Sequence, residues 1–213
     1  LCDRRQRQMC IRDSFIYVGV EVGIPNFANL FMTSPEINID PTIAGSVVGT
    51  YWFLMMIGRL CGASIGAKVS SRAMLTVVST VGIVLVLGAI FCADNILVNM
   101  PVFKSDISFG FAQVPVNVML LILCGLSTSV MWGGIFNLAV EGLGKYTAAA
   151  SGLFMVMVCG GGILPLIQGG VADFAGFLNS YWVIALGLAY ILFYAAIGSK
   201  NVNTDIPTDD YEA

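Results

Sequence analysis

The sequence contains no histidine, which removes in one stroke the commonest general base, proton switch and metal ligand among side chains. It is also poor in charge: 11% of its 213 residues are charged, against roughly 25% in an ordinary soluble domain. So few charges cannot solvate a globular surface. The basic residues form no stripe, so a nucleic-acid partner is not expected; four of the ten (Arg4, Arg5, Arg7 and Arg12) fall within the first 14 positions. No CxxC spacing occurs, and Cys61, Cys92, Cys124 and Cys159 lie singly inside apolar runs, where they read as small apolar fillers. There is no histidine pair, no HExxH and no clustered aspartates, so neither an enzyme nor a metal or cofactor site is expected.

What the chain has in abundance is long hydrophobic runs. Hydrophobic residues make up 57% of it, gathered into stretches of about twenty, the length that crosses a hydrocarbon core of roughly 30 Å at 1.5 Å per residue. Six spans follow from hydropathy, at about 15–32, 43–67, 73–93, 115–139, 147–170 and 179–198. None of these runs alternates as barrel strands do, and lipid cannot satisfy the backbone of open strands. The fold class is therefore all-α, a polytopic bundle of six transmembrane helices whose first partner is the lipid bilayer.

The flanks read differently. Residues 1–14, LCDRRQRQMCIRDS, resemble translated sequencing-adapter sequence more than protein and are set aside as a non-native leader, a basic cytoplasmic leader being the alternative. Residues 199–213 are acidic with no periodic apolar face and are expected to be a disordered cytoplasmic tail. Lys68 and Arg72 follow the second span, Lys145 the fourth and Lys200 the sixth, whereas the opposite loops carry only Lys104 as a basic residue. By the positive-inside rule both chain ends are cytoplasmic, as in a multi-pass protein of a cell membrane, here a bacterial inner membrane. The long third connection, DNILVNMPVFKSDISFGFAQVPVN, is patchily hydrophobic, interrupted by Pro101 and Pro115, and is expected to cover the outer face.

Glu21 is the most informative residue, because a carboxylate at mid-membrane costs roughly 2.5 to 3.5 kcal/mol on insertion scales. It lies about 9 Å in from the cytoplasmic end of its span and Arg59 about 12 Å in from the same side of the next one, depths that suit an ion pair. Such a pair either lines a polar path or is purely structural. On the same span Tyr17, Glu21, Pro25 and Asn29 recur at intervals of four, with Asn26 on the edge of that face. Polar groups on one face imply a cavity, although small amides beside a kinking proline also bind neighbouring helices.

In the fourth span Trp132 and Phe136 share a face and Asn137 lies near Gly133. An aromatic ring beside amides suits a sugar, whose C–H faces the ring covers and whose hydroxyls the amide both donates to and accepts from. In the fifth span the glycines at 160–162, 169 and 170 permit close helix packing or a hinge, and Gln168 is either a substrate contact or a helix-to-helix hydrogen bond. The expected substrate-contacting set is Asn26, Asn29, Trp132, Asn137 and Gln168. At the inner ends Lys68 and Arg72 face Glu141 and Lys145 as a candidate cytoplasmic gate, or act as plain positive-inside anchors.

From Phe15 to about Lys200 the chain resembles the C-terminal half of the fucose/glucose/galactose symporter branch of the major facilitator superfamily, through FIYVGVEVG, IGRLCG, and IFNLAVEGLGKYT followed by GGGILPLIQGGVAD. GASIGAKVSSRAML also resembles a degenerate copy of the superfamily's cytoplasmic loop motif, and Gly133 departs from the family where relatives often carry proline. The resemblance implies two six-helix bundles whose first and fourth helices line a central cavity. It also implies alternating access, a monosaccharide substrate, protons as the coupling ion with no other cofactor, and an N-terminal six-helix half beyond this sequence. A standalone six-helix channel or scaffold is the competing reading.

Overall fold

The computed structural model describes residues 4–66, 68–92, 95–104, 108–140 and 147–198, with side chains from Arg12 onward. The expected gate residues Glu141 and Lys145 and the expected tail, 199–213, lie outside the described residues. Helices α1 (Arg4–Thr33), α2 (Pro41–Gly66) and α3 (Ser71–Phe91) are followed by a hairpin of β1 (Leu97–Phe103) and β2 (Phe109–Pro115). The fourth span is α4 (Val116–Ser129) and α5 (Met131–Val140); the fifth is α6 (Thr147–Val156), a 3₁₀ turn Met157–Cys159 and α7 (Gly160–Ala175). The last is α8 (Phe177–Phe193), ending in a π turn Tyr194–Gly198. Among the described residues, six spans are thus long and apolar enough to cross a membrane.

The first span begins earlier than hydropathy indicates. Arg4–Thr33 is one helix, because RRQRQM contains only good helix formers and no glycine or proline to stop it. Within the segment set aside as leader, Asp13 and Ser14 are buried, and Ser14 Oγ donates to the Phe154 carbonyl at 3.5 Å. Between the first two spans Asp40 caps α2, its Oδ1 accepting the Thr42 N–H at 2.8 Å, and Pro41 takes the first helical position. That backbone hydrogen bond holds the Asp40 carboxyl below the usual carboxylate range. Ser70 caps α3 in the same manner through Ala73 N–H. Gly176, at φ +93, makes the turn from α7 into α8.

Small residues bring the spans together. A methyl group at Gly160 would collide with the Phe15 carbonyl, and one at Gly19 with Leu164, so α1 and α7 meet backbone to backbone. Gly58 and Gly62 on α2 likewise receive Ser129 and Val130, and Gly125 on α4 lies against the Tyr51 carbonyl, where a methyl would come within 2.6 Å. The first and fourth spans are the most enclosed and the fifth the least. Of the four cysteines read as apolar fillers, Cys124 is buried, whereas Cys61 and Cys159 are exposed on the helix surface.

The third connection, proline-interrupted in sequence, contains the antiparallel hairpin of β1 and β2. Its register pairs Val98 with Val114, Met100 with Ala112 and Val102 with Gly110, and the alternation buries Met100, Val102, Ala112 and Val114. Bonds from Lys104 N–H to Ser108 O and from Val116 N–H to Ile96 O, both 2.9 Å, put the ladder on the even positions. Pro101 and Pro115, at odd positions, therefore cost it no hydrogen bond.

Candidate functional site

Pro25 sits inside α1 and cannot donate to the carbonyl four residues back, that of Glu21. In lipid such an orphan needs a partner from elsewhere. Tyr51 on α2 supplies it: its hydroxyl donates to Glu21 O at 3.1 Å and lies 3.1 Å from Thr128 Oγ1. The same logic recurs where the fourth span breaks. The helix is interrupted at Val130, and Tyr17 Oη donates to the Thr128 carbonyl at 3.0 Å. Two fully buried tyrosines, Tyr17 and Tyr51, thus tie the first, second and fourth spans together at helix irregularities.

Beside this knot Arg59 Nη2 meets Glu21 Oε1 at 2.8 Å, with the carboxylate side chain 13% and the guanidinium side chain 54% exposed. Arg59 Nη2 also lies 3.3 Å from Met55 Sδ. Each charge thereby finds its opposite at a depth where a lone one is expensive, while the exposed side of Arg59 leaves the pair open to whatever covers that face.

Trp132 is half-buried, its ring 5.8 Å from Tyr17 and edge-on to Phe154 at 4.7 Å; Phe136 leans on the same Phe154 at 5.3 Å. The indole is therefore fixed by α1 and α6 and stands one side chain away from the Glu21 turn. Asn137 is exposed one turn farther along α5, Asn26 is exposed on α1, and Asn29 is half-buried with its carbonyl accepting Thr33 Oγ1 at 2.9 Å.

These residues do not converge on one point. Tyr17 and Trp132 share a level, and the first and fourth spans run in opposite directions. Nine residues separate Tyr17 from Asn26 and five separate Trp132 from Asn137, so the two asparagines stand about 20 Å apart along the membrane normal, several times the width of a hexose. Gln168 leaves the open set altogether. It is fully buried, Nε2 donates to Ser180 Oγ at 3.4 Å, and Oε1 packs on Gly23. Of its two sequence readings, the structure has the helix-to-helix amide, because the approach of α1 at Gly23 closes the space a substrate would need. Lys68 is exposed and Arg72 half-buried around the α2–α3 turn.

Sequence reasoning overlooked Tyr51, Thr128 and Phe154. The signal for Tyr51 was present, in that a proline inside a membrane helix leaves a carbonyl that asks for a hydroxyl at the same depth. Among the described residues no group of three or more His, Cys, Asp or Glu is placed to hold a metal ion.

No family model matches the chain. It is 30% identical over 188 residues to a glucose/galactose transporter of Brucella abortus, covering 88% of this chain and 41% of that protein. It is 31% identical over 191 residues to a putative glucose/galactose transporter of Helicobacter pylori, and 33% identical over 92 residues to the L-fucose-proton symporter of Escherichia coli. The chain thus spans less than half the length of the curated relatives it matches. Among solved structures, the major facilitator superfamily transporter FucP in its outward conformation superposes over 93% of this chain and 44% of its own, with a TM-score of 0.77 at 22% identity. By sequence and by fold, the chain resembles one half of a sugar transporter of the major facilitator superfamily.

Proposed function

We propose that the chain is the C-terminal half of a monosaccharide transporter that works by alternating access, with an N-terminal six-helix half completing the cavity and protons driving uptake. The single observation that carries this reading is the similarity to glucose/galactose transporters along nearly the whole six-span fold. In this reading the open face of α1, α2 and α5 is the wall of the path. Trp132 covers the apolar face of the sugar ring at the level of the Glu21–Arg59 pair, and hydroxyls bond to amides in turn: Asn26 and Asn29 on the outer side, Asn137 on the inner side. The 20 Å spread then fits a substrate handed along the path rather than one held by all three.

Glu21 is the carboxylate of this half that a proton or a sugar hydroxyl meets first, with Arg59 holding it in place. Lys68, Arg72, Glu141 and Lys145 close the inner mouth, which puts both chain ends in the cytoplasm of a bacterial inner membrane. Equilibrium binding of labelled glucose, galactose and fucose to the purified protein, produced from its full reading frame, tests the reading. Saturable binding of at least one hexose, weakened by Trp132→Ala with folding retained, is the expected result. No binding of any of the three overturns it.

A further inference from the structure

The hairpin reaches below the membrane surface. Helix α3 has 21 residues, about 31 Å, which is just the hydrocarbon thickness, so Phe91 marks its outer boundary. Gly88 packs on Leu120 of α4, and five residues deeper Gly125 packs on the Tyr51 carbonyl of α2. Tyr51 and its neighbour Thr50 therefore lie about 12 Å below that boundary. The hairpin tip is fastened at this level. Phe103 N–H donates to Thr50 Oγ1 at 2.9 Å, and the Phe103 ring stacks on Phe53 at 4.8 Å.

Such a strand pair has two edges. On β1, Thr50 satisfies Phe103 and Pro101 has no N–H to satisfy, while the N–H groups of Leu97 and Asn99 have no partner among the described residues. On β2 the N–H groups of Phe109, Phe111 and Gln113 point away from the ladder and have no partner among the described residues. An open strand edge at this depth is tolerated only beside protein or water, not lipid. On the exposed face of the sheet the amides Asn99 and Gln113 are direct cross-strand partners, both exposed. They stand among the exposed apolar side chains Leu97, Phe109 and Phe111, of which Phe111 is two residues from Gln113 and 79% exposed; the amide pair is the part of this face that suits water. Neither amide side chain bonds to another described residue.

We propose that this hairpin walls the aqueous outer mouth of the path and that Asn99, Gln113 and Phe111 form an encounter site for a hexose, the paired amides taking hydroxyls and the ring taking a C–H face. The inference rests on the sugar-transport reading above and adds a site to it, outside the membrane-centre residues around Trp132.

Leu97 lies on the same face, two residues before Asn99, and is exposed. A Leu97→Cys variant of the full-length, otherwise cysteine-free protein in sealed right-side-out vesicles is treated with a membrane-impermeant thiol reagent, with and without saturating glucose or galactose. Modification from outside, slowed several-fold by hexose and no longer slowed after Asn99→Ala with Gln113→Ala, is the expected result. Phe111→Ala weakens the protection by roughly three- to tenfold in hexose concentration. Modification only by a lipid-soluble reagent, or modification that hexose leaves unchanged, overturns the site. If wild-type protein binds hexose in the equilibrium assay while the introduced thiol is unprotected, this inference alone fails; if wild-type binds none, the transport reading fails with it.

Discussion

Tyr51 donates its hydroxyl to the Glu21 carbonyl, the one that Pro25 leaves without a helical donor. The carbonyl and the side chain of Glu21 are thus both held by α2, the first through Tyr51 and the second through Arg59. A proline that would otherwise loosen the helix instead fixes the turn that carries Glu21.

Tyr51→Phe removes that donor and leaves the carbonyl unpaired, a loss of about 1–3 kcal/mol. Pro25→Ala returns a backbone donor to the same oxygen, so Tyr51→Phe costs less in the Pro25→Ala background. Unfolding of the four proteins in detergent closes the double-mutant cycle. Equal costs of Tyr51→Phe with and without Pro25 contradict the assignment.

Either Glu21→Gln or Arg59→Gln alone strands one charge at depth, whereas the double substitution strands none. The double variant is therefore expected to accumulate in the membrane better than Arg59→Gln does, and the exchange Glu21→Arg with Arg59→Glu to recover part of the loss. Quantifying folded protein by size-exclusion of fluorescent fusions decides this. Additive losses in the double variant speak against a coupled pair.

Gly160→Ala drives a methyl group into the Phe15 carbonyl and is expected to destabilise the bundle by about 1–3 kcal/mol. Gly162, two residues on, has nothing within 4 Å of its added methyl, and Gly162→Ala is neutral or stabilising by up to about 1 kcal/mol. Thermal unfolding of the two proteins side by side is the check; a larger loss at position 162 than at 160 means that α7 turns the opposite face to α1.

A cysteine at Ser70, in the α2–α3 turn beside Lys68 and Arg72, is expected to react with impermeant reagent only after the cell is opened. Reaction in intact cells inverts the membrane orientation, and with it the side on which the hairpin lies.

The six spans were legible because twenty-residue apolar runs have one solution in lipid; most ends fall within two residues of hydropathy, the fifth runs five residues farther, to Ala175, and the first departs most, at its start. There a run of helix-forming but polar residues carries α1 on to Arg4, which a hydropathy scan cannot see. The Glu21–Arg59 contact was legible from depth alone, since two unlike charges at similar depth on consecutive spans have little else to do. Depth along one helix says nothing of convergence between helices, which is why Asn26 and Asn137 read as one site and stand about 20 Å apart. Gln168 was undecidable because an amide looks the same facing a cavity or a glycine on the next helix. The hairpin was missed although Val98, Met100 and Val102 alternate cleanly, because two prolines mask the strand until their register is known.

Proton-driven uptake bears most directly on the central claim, that this six-helix fold is half of a sugar transporter with Glu21 and Trp132 on its path. Protein from the full reading frame, in liposomes with an acidic exterior, is expected to accumulate labelled glucose or galactose. Collapse of the pH gradient should abolish the accumulation, and Trp132→Ala should reduce it. Lack of hexose accumulation, or accumulation that neither the gradient nor Trp132→Ala alters, contradicts the account.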